Sequence, residues 1–399
     1  MSAPDDPSDG LGPATRLVRA GRSRDLTGPF INPPVVHAST VLFDDTDTML
    51  SGRQHYVYGR RGTPTSEALE TAIREMEGAA GAVLCPSGLA AGSVALLSAV
   101  AAGGHVLMVD CVYGPVRHFA DTVLRRLGID VTYFDPAIGA GIEALFTDET
   151  TAVYVEAPGS LTFEMQDIPA IAAVARRRDA LVIADNTWAT PLYFRPLDHG
   201  VDIAVVAGTK YLVGHSDVMI GTIAANERAW RMIKETHGTL GMHVGPDDVY
   251  LALRGMRTMG IRLDRQMASG LAVARWLAAR PEVARVLHPA LPDDPGHALW
   301  RRDMHGASGL FGVVFDGWSE ADAKAFVDGL RLFGIGASWG GFESLAILAK
   351  VASIRTAVPW REAGPLVRLH IGLEEPADLI ADLERSLFAV AGARRTGAT

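Results

Sequence analysis

The chain has 399 residues, 48% of them hydrophobic and 21% charged, with a net charge of −9. That composition fits a globular protein and excludes a largely disordered one, and the length exceeds the roughly 250–300 residues at which a single core stops growing. The acidic balance, without any block of like charge, argues against nucleic acid and against an anionic membrane surface as partners.

Residues 1–15, rich in Pro, Asp, Ser and Gly, read as a frayed start with no apolar core of a secretory signal. From Leu17 to Arg60 no helix or strand of useful length emerges, and a structureless segment this long in a compact chain fits an arm packed on another subunit. A helix follows, capped by Thr65 or Ser66, with Leu69, Ile73 and Met76 on one face and Gly78 just past its end. Gly81–Leu84 reads as a strand, then comes the turn Cys85-Pro86-Ser87-Gly88 and a small, apolar helix to Ala102. Strands at His105–Val109, Ile129–Phe134, Ala152–Val155, Leu181–Ala184 and Val201–Ala207 then alternate with helices at Val116–Leu127, Gly141–Phe146 and Ile168–Arg178, and Val218–Ile223 adds a further run. This alternation predicts a mostly parallel sheet with right-handed crossovers. Helices at Ala229–Gly238, Val249–Met256 and Leu263–Ala279 lead into a last third of different character. There Ala284–Leu287, Gly312–Phe315 and Leu366–Ile371 read as strands, and Glu320–Leu330 and Ala377–Val390 as helices, which predicts a smaller α+β domain. Cys85 and Cys111, the only two cysteines, each adjoin an apolar run, which points to a reducing cytoplasm and to neither a disulfide framework nor a zinc site. No run reaches the ~18 apolar residues of a membrane span.

The chemistry concentrates in Leu181–Asp217. In open α/β sheets ligands sit at the carboxyl ends of parallel strands. Asp185 follows one strand and Lys210 the next, so an acid and an amine should face one crevice. A ring nitrogen that needs an anion and an aldehyde that needs an amine describe pyridoxal phosphate (PLP). Lys210 as an ordinary surface lysine, and Asp185 as a turn residue, are the plain alternatives. Ser87, Gly88 and Leu89 open a helix whose free N–H groups suit a phosphate, though Ser87 also reads as a simple cap. Tyr113 after its strand can stack on a planar ring or pack in a core. Tyr58 and Arg60, in Tyr58-Gly59-Arg60-Arg61-Gly62-Thr63, read as a solvated face or as a neighbour's phosphate-binding arm. Arg368, inside the apolar run Leu366–Ile371, is either a fork for a substrate carboxylate or half of a structural ion pair. His215-Ser216-Asp217 is too close in sequence for a Ser-His-Asp relay, no G-x-S-x-G elbow is present, no G-x-G-x-x-G opens a βαβ unit, and no metal-ligand spacing occurs.

Asp185-Asn186-Thr187-Trp188 and the run Thr209-Lys210-Tyr211-Leu212-Val213-Gly214-His215-Ser216-Asp217 resemble the signature of the Cys/Met-metabolism PLP enzymes, over nearly the whole chain. Within that family the chain resembles the bacterial cystathionine β-lyase branch. The residues are Tyr58–Thr63, Glu156-Ala157-Pro158-Gly159-Ser160, Ser338-Trp339-Gly340-Gly341-Phe342-Glu343-Ser344 and Arg368-Leu369-His370-Ile371-Gly372-Leu373-Glu374. The resemblance implies a fold-type-I (aspartate aminotransferase-like) PLP-binding domain over 61–255, a small domain over 256–399 and an arm over 1–60 that contacts a neighbouring subunit. It implies Lys210 as the Schiff-base lysine, Asp185 on the pyridine nitrogen and Tyr113 on the ring. Ser87, Gly88, Leu89 and Thr209 would hold the phosphate, with Tyr58 and Arg60 from the neighbour. Arg368 and Ser338 would bind the substrate carboxylate, with Trp339 and Tyr58 beside it. The implied activity is C–S β-elimination from L-cystathionine or a related cysteine conjugate, in a cytoplasmic homotetramer of paired active dimers. A γ-acting enzyme on the same scaffold is the alternative. Two departures from the pattern are Ala207, where many members carry Ser, and Ala337, where a close β-lyase carries an aromatic.

Overall fold

The computed structural model describes residues 10–396. Seven strands form the larger sheet: β1 (Gly81–Cys85), β2 (His105–Val109), β3 (Asp130–Phe134), β4 (Thr150–Glu156), β5 (Leu181–Asp185), β6 (Ile203–Val206) and β7 (Gly221–Ala225), in the order β1-β7-β6-β5-β4-β2-β3. β3, β2, β4, β5 and β6 run parallel, while β7 is antiparallel to both of its neighbours. Runs such as Val106–Val109 and Ile203–Val206 are apolar without alternation because helices cover both faces of such a sheet. Four strands form the smaller, wholly antiparallel sheet: β8 (Val283–Leu287), β9 (Leu310–Phe315), β10 (Leu345–Ala349) and β11 (Leu366–His370), in the order β10-β11-β9-β8. Its core is aromatic, with Phe315 stacked on Trp318 at 4.1 Å and Phe326 edge-on to both. The helix Met259–Ala278 serves both cores: Met259 and Leu263 pack into the first, Val273, Ala274 and Leu277 into the second.

Several elements differ from the sequence expectations for local reasons. The first long helix is Pro64–Glu77, capped by Thr63 rather than Thr65 or Ser66. Pro64 fits the first helical position, and Thr63 and Ser66 form a reciprocal capping box. Gly78 ends it in the left-handed region at φ 66°. The expected helix Val116–Leu127 begins at Gly114 and widens into a π-turn over Ala120–Leu124. Gly139–Leu145 is a 3₁₀ segment. Residues 1–9 lie outside the described residues, and within the expected frayed start and arm three short helices form, at Pro13–Arg19, Arg24–Thr27 and Thr46–Ser51. β10 and the helix His297–Asp303 have no counterpart in the sequence reading. β10 follows a glycine-rich loop and is defined by its pairing with β11.

A buried ion cluster joins the two sheets. Asp110, just beyond β2, accepts from Arg355 Nε at 3.0 Å, Thr356 N at 3.0 Å, Val358 N at 2.9 Å and Arg117 Nη1 at 3.2 Å. Arg355 also forks onto Glu164, at 2.8 and 3.0 Å. The segment between β10 and β11 is thereby pinned to the strand ends of the larger sheet. Burial pushes the Asp110 carboxyl up, but the main-chain donors of Thr356 and Val358, with Arg355, outweigh it and hold its pKa at about 2. A carboxyl depressed on folding adds stability above its unfolded pKa, and loses it as pH falls from about 4 to about 2. Arg355→Met removes one of the two guanidinium partners of this buried carboxylate and leaves it to Arg117 and the main-chain donors. Urea unfolding at pH 7 should show a loss of about 3–5 kcal/mol, and the difference from the natural protein should shrink as pH falls through that window.

Candidate active site

Asp185 ends β5, and Lys210 sits in the 207–220 connection between β6 and β7. The connection is tightly turned: Lys210 N donates to Ala207 O at 3.0 Å, Val213 N to Gly208 O at 3.0 Å and Gly214 N to Lys210 O at 2.8 Å. Lys210 is half-buried, and its Nζ donates to Ser338 Oγ at 2.5 Å. The Trp339 ring lies 5.3 Å from Nζ, and Tyr211 packs on that ring at 5.4 Å. Gly340, at φ 87°, lets the Ser338–Gly341 loop come this close, because a Cβ there would meet Lys210 Cα at 2.9 Å.

Arg368 is 4% exposed and donates to the carbonyls of Gly336 at 3.1 Å and Ser338 at 3.0 Å. No carboxylate pairs with it among the described residues, so the ion-pair alternative is not what the structure holds. Nε has no partner. A buried guanidinium without an anion is costly, and enclosure lowers its pKa to about 10. Two cations therefore flank one crevice. Enclosure, and then the charge of Arg368, lower the Lys210 pKa to about 8, although Asp185 opposes the shift.

Asp185 Oδ1 accepts from Thr187 N at 2.9 Å and Thr187 Oγ1 at 2.5 Å. Thr187 Oγ1 in turn accepts from Ala207 N at 2.9 Å, which ties the acid's strand to the lysine's connection. Enclosure raises the Asp185 pKa, while Thr187 and Lys210 oppose it. Tyr113 is 43% exposed at the same crevice; enclosure, and then the charges of Glu156 and Asp185, raise its phenol pKa, and Arg368 opposes them. Ser87 caps the helix Gly88–Ala99 by accepting from Ala90 N at 3.1 Å, which leaves the Gly88 and Leu89 N–H groups at the open first turn. A Cβ on Gly88 would lie 2.4 Å from Ala207 Cβ, so only glycine brings this turn against the lysine's connection. Thr209 Oγ1 bonds Ile220, accepting from its N–H at 2.9 Å and lying 3.1 Å from its carbonyl.

The strand ends thus bring together Lys210, Asp185, Tyr113, Ser87, Gly88, Leu89 and Thr209, and the C-terminal loop adds Ser338, Trp339 and Arg368. Tyr58 and Arg60 stand apart: Arg60 Nη1 donates to Gly238 O at 2.9 Å, beside a cavity of about 500 Å³ lined by Arg61, Glu67 and His237, and Tyr58 is 45% exposed. Thr187, Glu156 and His370 enter the sequence reading only as members of longer motifs, with no role of their own. Thr187, two residues after Asp185, carries a local turn signal. His370 is fully buried with its pKa lowered to about 3 by enclosure, and its Nε2 accepts from Gly340 N at 3.1 Å, a partner thirty residues away. Among the described residues no group of side chains could hold a metal ion, and no helix is long and apolar enough to cross a membrane.

The residues fit a phosphorylated pyridine aldehyde. An open helix start suits the phosphate, an enclosed acid the ring nitrogen, an amine of lowered pKa the aldehyde. Below about pH 8 Lys210 is an ammonium and no nucleophile. The rate at which the apoprotein takes up PLP should rise about tenfold per unit up to that pH and level off above it. Uptake that keeps climbing to pH 10 would show an ordinary lysine.

A Rhizobium johnstonii chain is 57% identical over 383 residues, 95% of this chain and 96% of its own. The Escherichia coli protein named cystathionine beta-lyase MetC is 43% identical over 381 residues, 93% of this chain and 96% of its own. The crystal structure of metB from Corynebacterium glutamicum superposes with a TM-score of 0.89 at 31% identity, covering 96% of this chain and 100% of that one. The family model for Cys/Met metabolism PLP-dependent enzymes matches residues 14–388, and the chain belongs to that family.

Proposed function

We propose that this protein is a C–S β-lyase that cleaves L-cystathionine, or a closely related cysteine conjugate, to a thiol such as homocysteine, pyruvate and ammonia. The observation that carries the reading is the buried, carboxylate-free Arg368 beside an amine of lowered pKa. An amino-acid carboxylate supplies the anion that the guanidinium lacks, and a planar fork binds it with fixed direction. Ser338, bonded to Lys210, adds a hydroxyl to the same subsite. PLP, bound by Lys210, supplies the electron sink that makes the α-proton of an amino acid removable. Lys210 takes that proton and delivers one to the departing sulfur; such positioned acid–base work contributes about 10²–10⁴-fold. Asp185 keeps the proton on the ring nitrogen, and Thr187 fixes the acid for that task. The released enamine takes up water and falls to pyruvate and ammonia.

The β over γ choice is supported by Ser160 and by the Ser338-Trp339 loop, with the Trp339 ring at 5.3 Å from the one amine that moves protons. The names of the relatives point the same way. A β-elimination needs only the α-proton and the sulfur one carbon on, both within reach of one lysine. Tyr58 and Arg60 reach the phosphate and substrate of a neighbouring subunit in this reading. Residues 1–60 then serve as an arm, 61–255 as the cofactor domain and 256–399 as the small domain of a cytoplasmic homotetramer.

Product analysis decides the matter. Cystathionine should yield pyruvate and homocysteine; 2-oxobutyrate with cysteine would overturn the reading in favour of a γ-lyase. Arg368→Lys keeps the charge and loses the fork, so kcat/KM should fall by about two orders of magnitude, mostly through KM, with PLP content unchanged.

A further inference from the structure

Glu156 ends β4, and its Cα is paired in register with that of Asp185 across the ladder. Two carboxyls therefore share the strand-end crevice. Glu156 Oε2 accepts the main-chain N–H of Tyr113 at 2.7 Å. Its own main chain is held at both sides by one amide: Gln166 Oε1 accepts Glu156 N–H at 3.2 Å, and Gln166 Nε2 donates to the Glu156 carbonyl. Gln166 is fully buried. The turn that follows closes on the segment before Tyr113. Ser160 N donates to Cys111 O at 2.8 Å, and a Cβ on Gly159 would lie 2.2 Å from Cys111 Sγ. Tyr113 is 43% exposed as a residue, and Glu156 holds its main chain from one side.

We propose that Glu156 is a positioning residue: as an uncharged acid it fixes the Tyr113 main chain, and it leaves Asp185 as the carboxylate facing Lys210 among the described residues. Among the described residues, the titratable groups that interact with Glu156 are Asp185, Tyr154, Cys111 and Tyr113, none of them a cation. Two neighbouring enclosed carboxyls do not both ionise cheaply. Asp185 has two donors from Thr187 and the charge of Lys210; Glu156 has one main-chain donor. Enclosure, and then the charge of Asp185, hold the Glu156 carboxyl well above the usual range. The proton therefore stays on Glu156. A shared-charge arrangement would weaken Asp185 as the anion for a ring nitrogen.

The proposal rests on the reading of Tyr113 as the residue that stacks on the PLP ring. PLP affinity of the full-length apoprotein, and the pH titration of the bound cofactor's visible absorbance, test both. Glu156→Gln, neutral and still an acceptor, should keep PLP affinity within about twofold with an unchanged titration, while Glu156→Ala and Tyr113→Ala should each weaken it about tenfold. If Glu156→Ala does not fold, Glu156→Leu fills the space without accepting a hydrogen bond and should show the same loss. If Tyr113→Ala weakens binding but Glu156→Ala and Glu156→Leu do not, the positioning role is overturned and the stacking reading stands. If Tyr113→Ala binds PLP as the natural protein does, both are overturned. A Glu156→Gln variant as weak as Glu156→Ala, or with a displaced titration, overturns the neutral state.

Discussion

The site is organised by a cation that the protein does not neutralise. Arg368 is buried on a central strand of the smaller sheet, and its hydrogens go to loop carbonyls rather than to an acid. Those carbonyls belong to the loop that carries Ser338 and Trp339, so one guanidinium shapes the loop and also defines the anion subsite. Its charge helps to lower the Lys210 pKa. Binding a carboxylate would relieve part of that pressure. In the proposed reading, substrate recognition and the basicity of Lys210 are thus coupled through a single residue.

Much of this was legible in the chain order. Lys210 and Asp185 follow apolar runs with no alternation, which marks buried parallel strands, and reactive residues at such strand ends face one crevice. The apolar runs placed each strand of the larger sheet to within three residues at either end. The smaller sheet was less legible: β10 is a short apolar run that directly follows the polar, glycine-rich stretch Ser338–Ser344, and its pairing with β11 defines it as a strand. Antiparallel β7 also reads in sequence like any other buried run. The capping of Pro64–Glu77 was misplaced because Thr63, Thr65 and Ser66 are all acceptable caps until Pro64 is recognised at the first position.

The supporting residues escaped for a different reason. Gln166 holds Glu156, Arg355 holds Asp110 and His370 holds Gly340, over separations of ten, 245 and thirty residues. Nothing local distinguishes a glutamine that clamps a strand end from one in solvent. Such residues decide where the reactive groups point, and only the folded chain brings each to its partner.

The antiparallel direction of β7 has a consequence for how the lysine works. A catalytic group placed between a strand and a helix inherits whatever freedom the helix has. Lys210 instead lies on a connection whose two ends are stitched into neighbouring strands of one sheet, with Thr187 and Ile220 tied to it from either side. The backbone is a fixed pivot, and the working motion is left to the four methylenes of the side chain. In the proposed reaction, lifting a proton at one carbon and setting it down on a sulfur beyond the next then asks for a swing of that side chain about a fixed backbone.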